Sequence, residues 1–248
     1  MPTALVTGAN RGLGLAFVKQ LDKLGWRVFA SCRNPSSAGE LMALSETSGG
    51  RVEIKQLDIG QFEQSDRLAG ELAGEPIDLL LNNAGIIGGS GVTFSEESRG
   101  TMQKFGELDF DEWMNVFKVN VVGTAKLTEA LIDNIASSQQ KTVVMMSSIM
   151  GSITANEEGN FPPPGGIYLY RTSKAAMNML SRNMAADLKE RGVKVVALNP
   201  GWVKTDMGGS DAIFEADDVI ARLLDMVVHG GMEQSGKFIS QDGTELSW

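Results

Sequence analysis

Along the whole chain, short β-branched or aliphatic runs alternate with longer stretches of helical periodicity, and this alternation restricts the fold more than any other feature. The aliphatic runs fall at residues 4–7, 27–31, 52–56, 77–81, 142–147, 193–198 and 237–240, and the helical patterns at 13–24, 37–47, 61–72, 110–135, 171–191 and 216–228. Near-continuous aliphatic strands are buried on both faces, and strand–helix–strand crossovers supply the cover. The expectation is therefore an α/β fold with a mainly parallel sheet between two helical layers, in one domain spanning 1–248. Such sheets bind ligands at the carboxyl ends of their strands. Two segments break the rhythm, 86–108 and 151–166, the second containing Glu157-Glu158 and Pro162-Pro163-Pro164. Each follows a strand and so belongs at that edge, either as a wall of a ligand pocket or as a surface insertion.

Composition narrows the ligand. A formal net charge of -9 opposes nucleic acid and anionic membrane as partners, which leaves small molecules. A single cysteine, Cys32, cannot form an intramolecular disulfide, and the opening Met1-Pro2-Thr3 lacks the basic and apolar regions of a signal peptide, so the expected compartment is the cytoplasm. With one histidine and one cysteine, no zinc site can be assembled from thiolate and imidazole ligands. His229 ends an amphipathic stretch, where the helix dipole alone accounts for it. No metal is expected.

The first strand runs into Thr7-Gly8-Ala9-Asn10-Arg11-Gly12-Leu13-Gly14 and then into a helix. Glycines there let the backbone approach a pyrophosphate, which the N–H groups of the helix start can hold. At the end of the second strand, an acidic residue would bind a free ribose 2′-hydroxyl and repel a 2′-phosphate. The run here is Ser31-Cys32-Arg33-Asn34, without a carboxylate. Arg33, flanked by Arg11 from the glycine loop, is suited to a 2′-phosphate, so the expected cofactor is NADP(H). Asp58, after the third strand, can accept from an adenine amino group or cap the next helix.

Tyr170 and Lys174 are four residues apart in a helical pattern and share one face. A phenol with a pKa near ~10 is a poor base at neutral pH, and a neighbouring ammonium together with a positively charged oxidised nicotinamide would lower that value toward the working range. Tyr168 has only Thr172 at the same offset. Ser148, at the end of the fifth strand, brings a hydroxyl to the same sheet edge to donate to a developing alkoxide. Asn120, between Val119 and Val121, is either an amide with local bonds or the holder of a water that relays protons to Lys174.

Together with Asn82-Asn83-Ala84-Gly85, the Ser148-x-x-Gly151 turn and Asn199-Pro200-Gly201-Trp202-Val203-Lys204-Thr205, these motifs resemble the short-chain dehydrogenase/reductase family from Thr7 onward. Tyr168 to Ala176, Pro200 to Gly209 and Asp242 to Trp248 are most similar to its sniffer-type carbonyl reductases and bacterial C-factor proteins. The resemblance implies a Rossmann-type, three-layer, doubly wound fold with a seven-stranded parallel sheet. It also implies a catalytic tetrad of Asn120, Ser148, Tyr170 and Lys174. Cofactor contacts are implied at Gly8, Asn10, Arg11, Gly12, Leu13, Gly14, Arg33, Asp58, Ile59, Asn83, Ala84, Gly85, Tyr170, Lys174, Pro200, Gly201, Val203 and Thr205, with Asp58 beside adenine and Val203 and Thr205 at the nicotinamide carboxamide. The implied reaction is reduction of an aldehyde, ketone or quinone, with a cofactor-binding signalling protein or an alcohol dehydrogenase as alternatives. The implied assembly is a homodimer or homotetramer. The interval from Ser148 to Tyr170 exceeds the usual family spacing, so the proline-rich insertion must loop out for the two to meet.

Overall fold

A computed structural model describes residues 1–89, 103–160 and 164–248. Its strands are β1 Thr3–Thr7, β2 Arg27–Cys32, β3 Val52–Gln56, β4 Leu79–Asn82, β5 Thr142–Met146, β6 Lys194–Asn199 and β7 Phe238–Ser240. Among the described residues they form one seven-stranded sheet in the order β3-β2-β1-β4-β5-β6-β7, every pair parallel. The helices are α1 Gly12–Lys23, α2 Gly39–Thr47, α3 Phe62–Glu71, α4 Phe110–Phe117, α5 Thr124–Ala130, α6 Ile132–Ala136, α7 Tyr168–Asp187 and α8 Ala216–His229. This is the Rossmann-type doubly wound architecture expected above. No helix of the described residues is long and apolar enough to cross a membrane.

The two-residue period of a strand divides the core into two layers. Ala4, Val6, Leu79, Leu81, Val144 and Val196 point to the side covered by α1, α2 and α8, where Phe17, Leu21, Leu41 and Leu223 meet them. Their neighbours Leu5, Leu80, Val143 and Val195 face α3, α5, α6 and α7 through Leu68, Leu127, Ile135 and Met177. Sequential strands run outward from β1 in one direction to β3, and the chain then crosses back to β4 on the other side. The carboxyl ends of β1 and β4 therefore part at the switch in winding direction, which opens a crevice there.

The structure departs from the sequence reading in places. The expected single helix over 110–135 is broken: between α4 and α5 the chain takes a π-helical turn, Lys118–Gly123, and α6 is a separate short helix. A Cβ on Gly123 would lie 2.2 Å from the Ile59 carbonyl oxygen, so this turn packs against the loop after β3 as only glycine allows. Helix α7 starts three residues early, after Ile167 in a left-handed conformation, and so takes in Tyr168 and Tyr170. Of the two segments that interrupt the rhythm, residues 90–102 and 161–163 lie outside the described residues.

Gly14 shows how tightly the first crossover closes, because a Cβ there would stand 2.1 Å from the Gly8 carbonyl oxygen. Overpacking against backbone costs ~1–3 kcal/mol or more, so urea unfolding of Gly14→Ala is expected to show at least that loss. Gly70 is the contrast, exposed in α3 with nothing within 4 Å of its Cβ position. Gly70→Ala is expected to stabilise by ~0.5–1 kcal/mol in the same measurement, because it removes only backbone freedom.

Candidate active site

A crevice of about 400 Å³ runs along the carboxyl ends of β1, β2, β4, β5 and β6. One end is the glycine loop. Gly8 and Gly12 have φ of +64° and +53°, a region that favours glycine, and a Cβ on Gly8 would press to 3.0 Å from the Ala84 Cα. Thr7 ties this loop to the end of β4: its Oγ1 accepts from the N–H groups of Asn83, 3.0 Å, and Ala84, 2.9 Å, and donates to the Leu81 carbonyl, 3.2 Å. The Asn83 Nδ2 donates in turn to the Thr7 carbonyl at 2.8 Å. The first turn of α1 has no acidic residue, and Arg11 at its start makes no side-chain cap. Its N–H groups and positive dipole end face the crevice.

Farther along, Arg33 is exposed on the crevice wall, and its guanidinium has no ion-pair partner among the described residues. Arg11, expected beside it, also lines the crevice, but its Nη1 lies 2.9 Å from Asp206 Oδ2, so it spans to the segment after β6 instead. Asp58 is on the wall, and its Oδ1 accepts from the Gly60 N–H at 3.0 Å; it caps a turn that leads to α3 without being that helix's N-cap. Ile59, Asn10, Leu13, Gly14, Asn83, Gly85, Pro200 and Thr205 also line the crevice. Gly201 and Val203 do not. Val203 is buried and bridges to Phe214, whose ring lies against Gly201, so both sit beneath the wall. Ser31, Cys32, Ser147 and Met207 are wall residues that the sequence reading missed, because small or apolar side chains at strand ends carry no distinctive pattern.

At the opposite end Tyr170 and Lys174 line the crevice, with Ser148 and Asn120 packed beside them. Tyr170 stands beside Ser148, whose side chain favours the ionised phenol, so the long insertion does loop out between them. Lys174 is buried, its Nζ 5.3 Å from the centre of the Tyr170 ring and donating to the Met146 carbonyl at 2.6 Å. Asn120 is fully buried in the π-helical turn. Its Nδ2 donates to the Ile86 carbonyl at 2.8 Å and to Ser173 Oγ at 3.0 Å, and its Oδ1 accepts from the Ile86 N–H at 2.8 Å. Asn120 Oδ1 and Lys174 Nζ both fall within 4 Å of the place a Gly85 Cβ would occupy, 3.3 and 3.7 Å away. Tyr168 is elsewhere, packed with Phe105 and Trp113.

Burial governs the titration of the pair. It pushes the Tyr170 phenol up to about 12, with the Ser148 hydrogen bond pulling the other way, and it lowers Lys174 to about 8. For the chain's own groups, without the oxidised nicotinamide that the expectation also counted, desolvation outweighs the neighbouring ammonium, and Tyr170 holds its proton at neutral pH.

Comparison with known proteins agrees with this arrangement. The family model described as short chain dehydrogenase matches residues 2–215. C-signal of Myxococcus xanthus is 36% identical over 173 residues, covering 70% of this chain and 93% of the relative. The carbonyl reductase Sniffer of D. melanogaster superposes with a TM-score of 0.86 at 32% identity, covering 100% of both chains. An NADPH-bound carbonyl reductase from chicken fatty liver gives 0.86 at 30% identity, over 100% of this chain and 99% of that one. Sheet order, glycine loop and sequence identity thus converge, and the chain belongs to the short-chain dehydrogenase family of oxidoreductases.

Proposed function

We propose that the protein is an NADP(H)-dependent reductase of carbonyl compounds (aldehydes, ketones or quinones) in which Tyr170 donates the proton to the carbonyl oxygen. The observation that carries this reading is the meeting of Tyr170, Ser148 and Lys174 at one end of a crevice whose other end is a glycine loop at a helix start. The chain fits a dinucleotide: Gly8 and the first residues of α1, Gly12, Leu13 and Gly14, line the crevice, and a helix start without acidic residues suits a pyrophosphate. Bound NADPH supplies the hydride that reduces the carbonyl carbon.

Ser148 Oγ accepts from the Met150 N–H at 3.2 Å, which leaves its own hydrogen to donate to a carbonyl oxygen entering beside Tyr170. Tyr170, protonated through burial, gives its hydrogen to that oxygen as charge develops there. Lys174, fixed by the Met146 carbonyl, stabilises the resulting phenolate, and its lowered pKa suits it to return a proton. Asn120, its amide held by Ile86 and Ser173, borders that ammonium and offers a fixed polar wall for a relay water. Arg33 supports the choice of NADP(H), since a guanidinium without an ion-pair partner among the described residues is available to a 2′-phosphate. Arg11 contributes by exchanging Asp206 for the phosphate, because an exposed ion pair is worth only ~0–1 kcal/mol. Exposed Phe110 and Met114 on α4 and Met179 on α7 support assembly as a homodimer or homotetramer.

The likeness to C-signal favours a second reading, a cofactor-binding signalling protein with incidental turnover. Stable NADPH binding with no oxidation across a panel of aldehydes, diketones and quinones would select it.

Tyr170→Phe is expected to keep its NADPH affinity and lose ~10²–10⁴-fold in turnover, the usual worth of a positioned general acid. Activity within a few-fold of the parent rejects the role given to the phenol. Arg33→Ala is expected to weaken NADPH by ~1.5–3 kcal/mol and leave NADH nearly unchanged in fluorescence titration; equal losses for both overturn the assignment. A lysine depressed to about 8 in the folded protein binds fewer protons than the unfolded chain between that value and its ordinary 10.5. Stability of the ligand-free parent relative to Lys174→Met should therefore rise with pH across that window, and a flat difference in urea unfolding contradicts the burial cost.

A further inference from the structure

Asn178 follows Lys174 by four residues, as Lys174 follows Tyr170, so the three lie on one face of α7. Asn178 is 3% exposed. Its Oδ1 accepts from Ser147 Oγ at 2.5 Å, and its Nδ2 donates to the Gly151 carbonyl at 3.3 Å. Those two partners stand on either side of Ser148. The turn between them lies so close to α7 that a Cβ on Gly151 would be 2.6 Å from the Lys174 carbonyl carbon. From the sheet side, Asn199 Oδ1 accepts from the Ile149 N–H at 2.9 Å.

An amide in this position is not explained by packing alone. Burying one without partners is costly, and an apolar side chain of similar volume would fill the space more simply. What an apolar residue cannot do is accept from a hydroxyl and donate to a carbonyl at the same time. We infer that Asn178 is a positioning residue for the reaction: it brackets the turn that carries Ser148 and so holds that hydroxyl in register with Tyr170 on the same helix. The inference rests on the roles proposed above for Ser148 and Tyr170. One rigid rod then sets three things: the phenol, the ammonium beside it and the placement of the serine.

The test uses the full chain, NADPH and p-nitrobenzaldehyde, with hydrogen exchange read by mass spectrometry on the ligand-free protein. In Asn178→Ala, kcat is expected to fall ~10- to 100-fold, the range for a displaced reacting group. NADPH affinity should stay within about twofold, because the glycine loop is untouched. The peptide containing residues 147–152 should exchange faster while those from β1 and α1 keep the parent's protection. In a Ser148→Ala background, Asn178→Ala should change the residual kcat by no more than about twofold, since its effect passes through that hydroxyl. If Asn178→Ala fails to fold, Ser147→Ala removes one of the two bonds with little loss of volume and is expected to give the same pattern more weakly. An unchanged kcat with unchanged exchange at 147–152 overturns the inference, as does an equal loss with and without Ser148. The exchange measurement needs no turnover, so its failure is separate from that of the reductase reading, which Tyr170→Phe decides.

Discussion

The interaction on which the rest of the site depends is the burial of the Lys174 ammonium against the carbonyl at the end of β5. A charge taken out of water must be met by an acceptor or give up its proton, and here the chain provides one acceptor and a lowered pKa together. That contact pins the start of α7 to the sheet edge. With α7 pinned, Tyr170 one turn earlier is carried into the crevice, and the turn after β5 is drawn in against Gly151. The alignment of phenol, ammonium and serine is therefore a property of one helix docked on one strand end.

This arrangement also explains why the phenol is an acid rather than a base in the chain by itself. The crevice wall withdraws Tyr170 from water more than neighbouring groups compensate, and a neutral phenol is the form that tolerates such a place. A positive charge near the ring would be needed to favour the ionised form.

Much of this was legible in the sequence. Parallel strands buried on both faces are continuous aliphatic runs, and polar residues that end them, such as Thr7, Asn83 and Ser148, stand out against that background. The four-residue spacing of Tyr170 and Lys174 reports a shared helical face directly. Burial does not appear in a residue pattern, which is why the desolvation that raises Tyr170 in the chain alone was not legible beside the charges that lower it. Asn178 was overlooked for a related reason: one amide on an amphipathic helix looks solvated until the turn it meets is known. The break at Lys118–Gly123 escaped because its cause is the Ile59 carbonyl, a contact between segments far apart in sequence. Gly201 and Val203 carry no pattern of their own in the sequence, since it is the packing of Phe214 against them that fixes their place beside the crevice.

The span from Arg11 to Asp206 joins the first crossover of the chain to the segment that leaves the sixth strand. Beneath it, Gly12 and Thr205 come close enough that a Cβ on the glycine would touch the threonine methyl at 3.4 Å. The two banks of the crevice thus touch beneath a weak ion pair before any guest arrives. Packing at Gly12 and Thr205 brings them together during folding, and a long, flexible dinucleotide then meets a berth already shaped, which reduces the disorder that must be given up when it settles.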